Sequence, residues 1–130
     1  MNRDVVLEPI IKSIRFGTFL SKPQILDYLK DWEALPWMVN GEHAGSVVVK
    51  GTELHFAVLG NWRPQSSVRG PIRAFLKPLL EKHGYLTTRV FHEKSFQIEF
   101  VRRMGFKPIW SDHRFSYFCM FDLPFERKKQ

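Results

Sequence analysis

The chain has a single cysteine, Cys119, in 130 residues. No disulfide can close within it and no cysteine-rich metal site can form. Such usage fits a reducing compartment. Also lacking is any apolar run of about 18 residues, and no basic-then-apolar leader opens the chain, so neither a membrane-spanning helix nor Sec-type export is expected. Internal repeats, low-complexity tracts and long polar linkers are missing too, so residues 1–130 read as one domain with a basic tail at 126–130. No P-loop, Rossmann fingerprint or Gly-x-Ser-x-Gly elbow is present. His43, His55, His83, His92 and His113 show no zinc spacing, and no metal is expected.

Acidic residues are scarce. Asp and Glu number 13 against 20 Lys and Arg, which leaves a formal charge of +7 and a pI near 9.8. That imbalance points to an anionic partner, either nucleic acid, a membrane surface or a phosphate-rich cofactor. Arg127, Lys128 and Lys129 put part of it in the tail, and the rest runs along Arg63, Arg69, Arg73, Lys77, Lys82, Arg89, Arg102 and Arg103.

What is plentiful is apolar and aromatic material: 44% hydrophobic residues, 12 Phe and 4 Trp. That is ample for one core. Val5 to Ile11 reads as a strand, which Pro9 would hold to an edge or end early. Ser21 reads as an N-cap, followed by Pro23 and by Ile25, Leu26, Leu29, Trp32 and Leu35 at helical spacing, so a helix is expected to run up to Pro36. Trp37 to Val39 and Ser46 to Val49 flank Asn40-Gly41-Glu42-His43-Ala44-Gly45, whose Asn-Gly pair predicts a hairpin. A turn at Lys50-Gly51 leads into Glu53 to Leu59 and completes a three-strand meander.

Val68, Ile72, Phe75, Leu76, Leu79 and Leu80 recur with helical period up to Gly84, with Pro78 inside the helix as an expected kink. Leu86 to Phe91 reads as a strand. Phe96, Phe100, Val101 and Met104 mark a short helix that stops at Gly105, and strands near Lys107 to Trp110 and Phe115 to Asp122 finish the chain. Cys119, in the last apolar run, reads as a buried strand thiol.

This order resembles the acetyltransferase superfamily typified by the Gcn5-related N-acetyltransferases (GNAT) from about Ser21 to Asp122. Three local matches carry the resemblance. The hairpin Val39 to Gly45 is similar to the family's two-strand turn, and Val58 lies five residues before Arg63, as a strand valine precedes the family's cofactor loop. Lys94 to Phe106 is similar to the family's late helix, closing on Gly105-Phe106. The resemblance implies an α/β (α+β) fold of one domain, with a central mixed, mostly antiparallel sheet flanked by helices. From Trp37 to Leu123 the chain further resembles small acetyltransferase-like proteins of tailed bacteriophages, including an internal virion protein of short-tailed coliphages. That implies a place in the host cytoplasm or in a virion, with virion or host proteins as partners.

The family's loop runs from a basic or Gln residue through two variable residues to Gly, one variable residue, and Gly or Ala at a helix start. Its backbone N–H groups hold the pyrophosphate of coenzyme A. The matching segment is Arg63-Pro64-Gln65-Ser66-Ser67-Val68, with Ser66 and Val68 standing where glycine, and glycine or alanine, belong. A frame from Gln65 recovers Gly70 but aligns the following apolar residues less well. The resemblance thus implies acetyl-coenzyme A as cosubstrate, contacted by Val58, Leu59, Arg63, Ser66, Ser67, Val68 and Arg69. Hydroxyl donors and arginine charge would stand in for the lost glycines. The plainer alternative is that Ser66 or Ser67 caps the helix while the arginines face solvent.

The implied reaction is transfer of acetyl from the thioester to an amine of a protein or small molecule. It needs a base for the amine proton and a donor for the oxyanion. The backbone N–H near Val58 fills the donor role by resemblance. Some members carry a base glutamate on the same strand, at a place near Thr52 here; Glu53 is one residue out of register. His55 and His92 are further candidate bases. The family's late-helix tyrosine, which protonates the leaving thiolate, is replaced by Val101, and Tyr117 is the candidate substitute. Two other functions stay open: a virion or host-binding protein that keeps the fold without catalysis, and a nucleic-acid binder, suggested by charge and by Trp62 and Trp110 but lacking a recognised motif.

Overall fold

The computed structural model describes residues 1–17, 19–60, 62 and 68–123, the side chains of 15–17 and 96 excepted. The chain divides into two compact units, Met1–Ser66 and Ser67–Gln130.

The first unit opens with helix α1 (Arg3–Gly17). The strand expected at Val5 to Ile11 is therefore a helix. Val6, Leu7, Ile10 and Ile11 are all buried, a doublet spacing of four that puts them on one helical stripe and that no strand could turn to a single side. Pro9 sits inside α1, where its missing N–H and its ring cost about 3 kcal/mol. The stripe offsets that cost by packing Leu7, Ile10 and Ile11 with Ile25, Leu29, Trp32, Val48 and Ala57.

Helix α2 (Lys22–Leu29) starts at the expected cap. The Ser21 N–H donates to Gln24 Oε1 at 2.8 Å and the Gln24 N–H donates to Ser21 Oγ at 3.4 Å, a capping box that satisfies two orphan donors. It ends earlier than expected, at Leu29, and strand β1 (Glu33–Val39) begins before Pro36 instead of after it. Trp32 and Leu35 continue the helical spacing by coincidence: Trp32 closes the helix-end turn through its N–H to Leu29 O at 3.0 Å. Pro36 is tolerated because β1 has a strand neighbour on one side only, β2 (Glu42–Lys50).

Asn40 and Gly41, with φ of 51° and 82°, make a two-residue hairpin turn with both central residues left-handed. The hairpin is tighter than the six-residue segment read from sequence, and β2 takes up Glu42 to Gly45. Strand β3 (Glu53–Val58) pairs antiparallel with β2, with Gly45 opposite Val58. A Cβ at Gly45 would stand 2.5 Å from Ala57 O, so only glycine fits there.

The second unit holds α3 (Arg69–His83), β4 (Leu86–Phe91), α4 (Ser95–Arg103), β5 (Lys107–Ser111) and β6 (Phe115–Met120). In α3 Ile72, Leu76 and Leu80 are buried at every fourth position, and Gly84 closes the helix at φ 80° with its N–H on Leu80 O at 2.7 Å. Helix α4 ends in a Schellman turn: the Phe106 N–H donates to Val101 O at 3.1 Å and the Gly105 N–H to Arg102 O at 3.1 Å, with Gly105 at φ 106°. Both β4 and β5 pair antiparallel with β6. Burial of Leu86, Thr88 and Val90 alternates with half-exposure of Thr87, Arg89 and Phe91, which gives this sheet a buried face and an accessible one. Cys119 is buried in β6 as expected, and desolvation raises its thiol pKa. The fold is α+β, as the resemblance implied, with four helices and mostly antiparallel strands among the described residues.

Candidate functional site

In the first unit the described candidate residues are Glu53, His55 and Val58 on β3 and Leu59 just past its end. The Leu59 N–H donates to Ala44 O at 2.9 Å, which fixes the phase of the β2–β3 ladder. With that phase, residues 53, 55 and 57 take the hydrogen-bonded positions opposite β2 and Val58 a non-hydrogen-bonded one, so the N–H and C=O of Val58 point away from β2. Val58 is 40% exposed. Leu59 lies just past it, with its own N–H spent on Ala44. The Trp62 N–H donates to Leu59 O at 3.1 Å. The Trp62 ring meets Trp37 edge-on, 5.5 Å between centroids, and Trp37 meets Phe56 at 5.0 Å.

Glu53 and His55 are two residues apart on a strand and therefore share a face. Oε2 of Glu53 lies 2.6 Å from Nε2 of His55, and the two side chains are 32% and 31% exposed. The His55 ring stands 5.5 Å from that of Trp32, and Trp32 6.1 Å from Tyr28. With Nε2–H donated to the carboxylate, the neutral imidazole carries its basic lone pair on Nδ1. Sequence reasoning named both residues separately and missed that they form a pair, as well as the Trp32 wall beside them. The signal was the Glu-x-His spacing within a strand.

In the second unit, α3 opens after Val68, which sits at φ −95° and ψ 4°, outside the extended region usual for a cap, and makes no side-chain cap hydrogen bond. Val68 has no polar side-chain atom with which to cap the helix, and the capping alternative named for Ser66 or Ser67 falls on residues outside the described ones. No acid lies in the first turn, and Pro71 has no N–H, so Arg69 and Gly70 carry the backbone donors before Ile72, which bonds Val68 O at 2.9 Å. Arg63, Ser66 and Ser67, with Pro64 and Gln65, lie outside the described residues.

His92 and Tyr117 are placed in a different setting. The Nε2–H of His92 donates to the Asp112 carbonyl at 2.7 Å, and Nδ1 lies 3.2 Å from Ser116 Oγ. A carbonyl only accepts, so Nε2 carries the proton and Nδ1 takes the hydroxyl hydrogen. Tyr117 OH donates to Asp112 Oδ2 at 2.9 Å, while the N–H groups of Arg114 and Phe115 donate to Oδ1 at 2.8 and 2.7 Å. Those backbone bonds first, and Tyr117 after them, hold the Asp112 pKa down to about 2. The same bond raises the pKa of Tyr117, since the hydroxyl proton is shared with a carboxylate. Asp112 is an Asx-type turn residue that the sequence reading did not single out. Val101, the position that the sequence resemblance set against a tyrosine, is buried in α4.

Among the described residues no group of His, Cys, Asp and Glu is arranged to hold a metal ion, and no helix is long and apolar enough to cross a membrane.

The fold is that of the N-acetyltransferases. The chain is similar to PseH, an N-acetyltransferase of Campylobacter jejuni solved with acetyl coenzyme A, at 15% identity over 93% of this chain and 92% of that one, with a TM-score of 0.62. A ribosomal-protein-alanine N-acetyltransferase from Brucella melitensis matches at 12% identity over 91% and 93% of the two chains, TM-score 0.62. An acetyltransferase of Bacillus subtilis in complex with CoA matches at 11% over 95% of each, TM-score 0.62. No protein-family profile and no curated sequence matches the chain.

Proposed function

We propose that the chain is an acetyl-coenzyme A-dependent N-acetyltransferase acting on an amine of a protein or small molecule. The observation that carries this reading is the end-to-end likeness in fold to N-acetyltransferases solved with acetyl coenzyme A and with CoA. The phase of the β3 ladder supports it as well, because it leaves the Val58 N–H aimed away from β2 as an oxyanion donor for the thioester carbonyl must be. Leu59 lines the strand end. The backbone donors of Val68, Arg69 and Gly70 and the charge of Arg63 and Arg69, with the hydroxyls of Ser66 and Ser67, hold the pyrophosphate.

The base is the Glu53–His55 pair. Nδ1 of His55 takes the amine proton as the nitrogen attacks the thioester carbon, and Glu53 stabilises the imidazolium across the 2.6 Å bond. The tetrahedral intermediate then collapses with the C–S bond breaking, and coenzyme A leaves as thiolate to be protonated. His92 and Tyr117 are weaker candidates for proton transfer because their polar atoms are engaged by Asp112 and Ser116. Release of free thiol from acetyl-coenzyme A, measured with a panel of peptide N-termini, lysyl peptides and small amines, tests the reaction. Amine-dependent thiol release is the expected result.

A second reading, a virion or host-binding protein of a bacteriophage that keeps the fold without catalysis, is favoured by one feature. The position of the family's proton-donating tyrosine is the buried Val101. Indifference to acetyl-coenzyme A, together with recovery of the protein from purified particles, would support that reading over the first.

A further inference from the structure

Residues 87, 89 and 91 of β4 and 115, 117 and 119 of β6 share one face of the second unit's sheet. Register places Phe91 opposite Phe115, Arg89 opposite Tyr117, and Tyr117 opposite Trp110 of β5. The rings form a continuous stripe. Centroids are 4.4 Å apart for Phe91 and Phe115, 6.2 Å for Phe115 and Tyr117, and 5.1 Å for Tyr117 and Trp110. Cations lie over the same rings: Arg89 is 4.9 Å from the Phe115 centroid, Arg114 is 5.7 Å from Phe115 and 5.9 Å from Phe91, and Lys94 is 5.8 Å from Phe91.

We propose that this face is a stacking platform for single-stranded nucleic acid. Stacked bases need flat π surfaces at successive positions, and phosphates need cations beside them; base and backbone would meet both along this stripe. Charge complementarity favours this occupant over an apolar protein surface, because the chain as a whole is at +7 and the rings alternate with cations. Lys107, opposite Cys119 on the same face, adds a further positive group. The acids nearby are Glu93, next to Lys94, and Asp112, whose oxygens are engaged by two backbone N–H groups and Tyr117. Trp110 is 64% exposed and presents the outermost ring. Pro108 and an irregularity between Pro108 and Trp110 interrupt the β5 edge, which disfavours pairing with another strand there. A duplex hides its base faces and would gain only the charge term.

The test is fluorescence anisotropy of the whole chain with dye-labelled oligothymidylate, oligouridylate and a duplex of equal length. Single strands should bind more tightly than the duplex, and about three phosphate contacts should give a log–log salt slope near −2. Trp110→Ala should weaken single-strand binding by roughly 5- to 150-fold with the slope unchanged, whereas Arg114→Ala should flatten the slope by about 0.7. Thermal melts of both variants confirm folding. No binding, equal affinity for duplex, or a Trp110→Ala variant that binds like the parent would each overturn the platform; the last outcome would assign binding to charge alone, including the basic tail. None of these readouts depends on acetyl transfer, so failure here leaves the enzymatic reading standing, and the reverse.

Discussion

The two clusters of titratable groups make the most instructive comparison in the molecule. On β3, Glu53 and His55 bond to each other through a single short contact and leave one ring nitrogen available for chemistry. Around the β5–β6 turn, His92 and Asp112 bond backbone groups that hold a turn together, and Tyr117 bonds the Asp112 carboxylate. The first arrangement can cycle a proton without disturbing the chain; in the second, moving a proton would loosen a hairpin. In the proposed reaction His55 therefore takes a chemical role and His92 an architectural one, according to what lies at the far end of each bond.

The sharpest way to break this division is to exchange the two histidines for alanine. His55→Ala should reduce kcat/KM by roughly 10²- to 10⁴-fold, the usual worth of a positioned general base, with little change in acetyl-coenzyme A affinity. His92→Ala should act mainly on thermal stability. The reverse pattern in steady-state rates and melts would move the base to the turn.

A smaller effect is expected at Arg69. Arg69→Ala should weaken acetyl-coenzyme A binding by about 1.5–3 kcal/mol if its charge meets the pyrophosphate, read by calorimetry, while the melting temperature stays close to that of the parent. Gly45→Ala should destabilise by about 1–3 kcal/mol, because the new methyl collides with Ala57 O on the strand that carries Val58. Denaturant titration checks the loss, and activity should fall along with it.

The smallest effect concerns pH. The folded pKa of Asp112, about 2, lies below its ordinary 3.8, so the ionised turn contributes stability above pH ~4 and loses it as the pH falls from there through about 2. The difference in melting temperature between the parent and Asp112→Asn should therefore shrink as the pH is lowered through that window. A difference that stays constant down to pH 2 would show that the charge does not hold the turn.

Much of the fold was legible because chemistry marked its boundaries. Asn40-Gly41, Gly84 and Gly105 each sit at a positive φ that fixes a turn or helix end, and Ser21 with Gln24 forms the cap that its sequence advertises. What escaped the sequence was set by tertiary packing. Pro9 argued for an edge strand, yet the burial of Val6, Leu7, Ile10 and Ile11 outweighs its cost and makes α1 a helix. Trp32 and Leu35 extended an apparent helical period across a chain reversal. The candidate site was half visible: Glu53, His55, His92 and Tyr117 stood out by type, but only the structure separates the facing pair on β3 from the Asp112-centred turn, since Asp112 acts through short-range bonds that leave no periodic trace.

Calorimetric titration of the purified chain with acetyl-coenzyme A is the most direct measurement of the central claim. Saturable binding of one cofactor per chain, weakened in an Arg63→Ala, Arg69→Ala double variant that melts like the parent, is the predicted result. Absence of heat and of any thermal shift at millimolar acetyl-coenzyme A would contradict it.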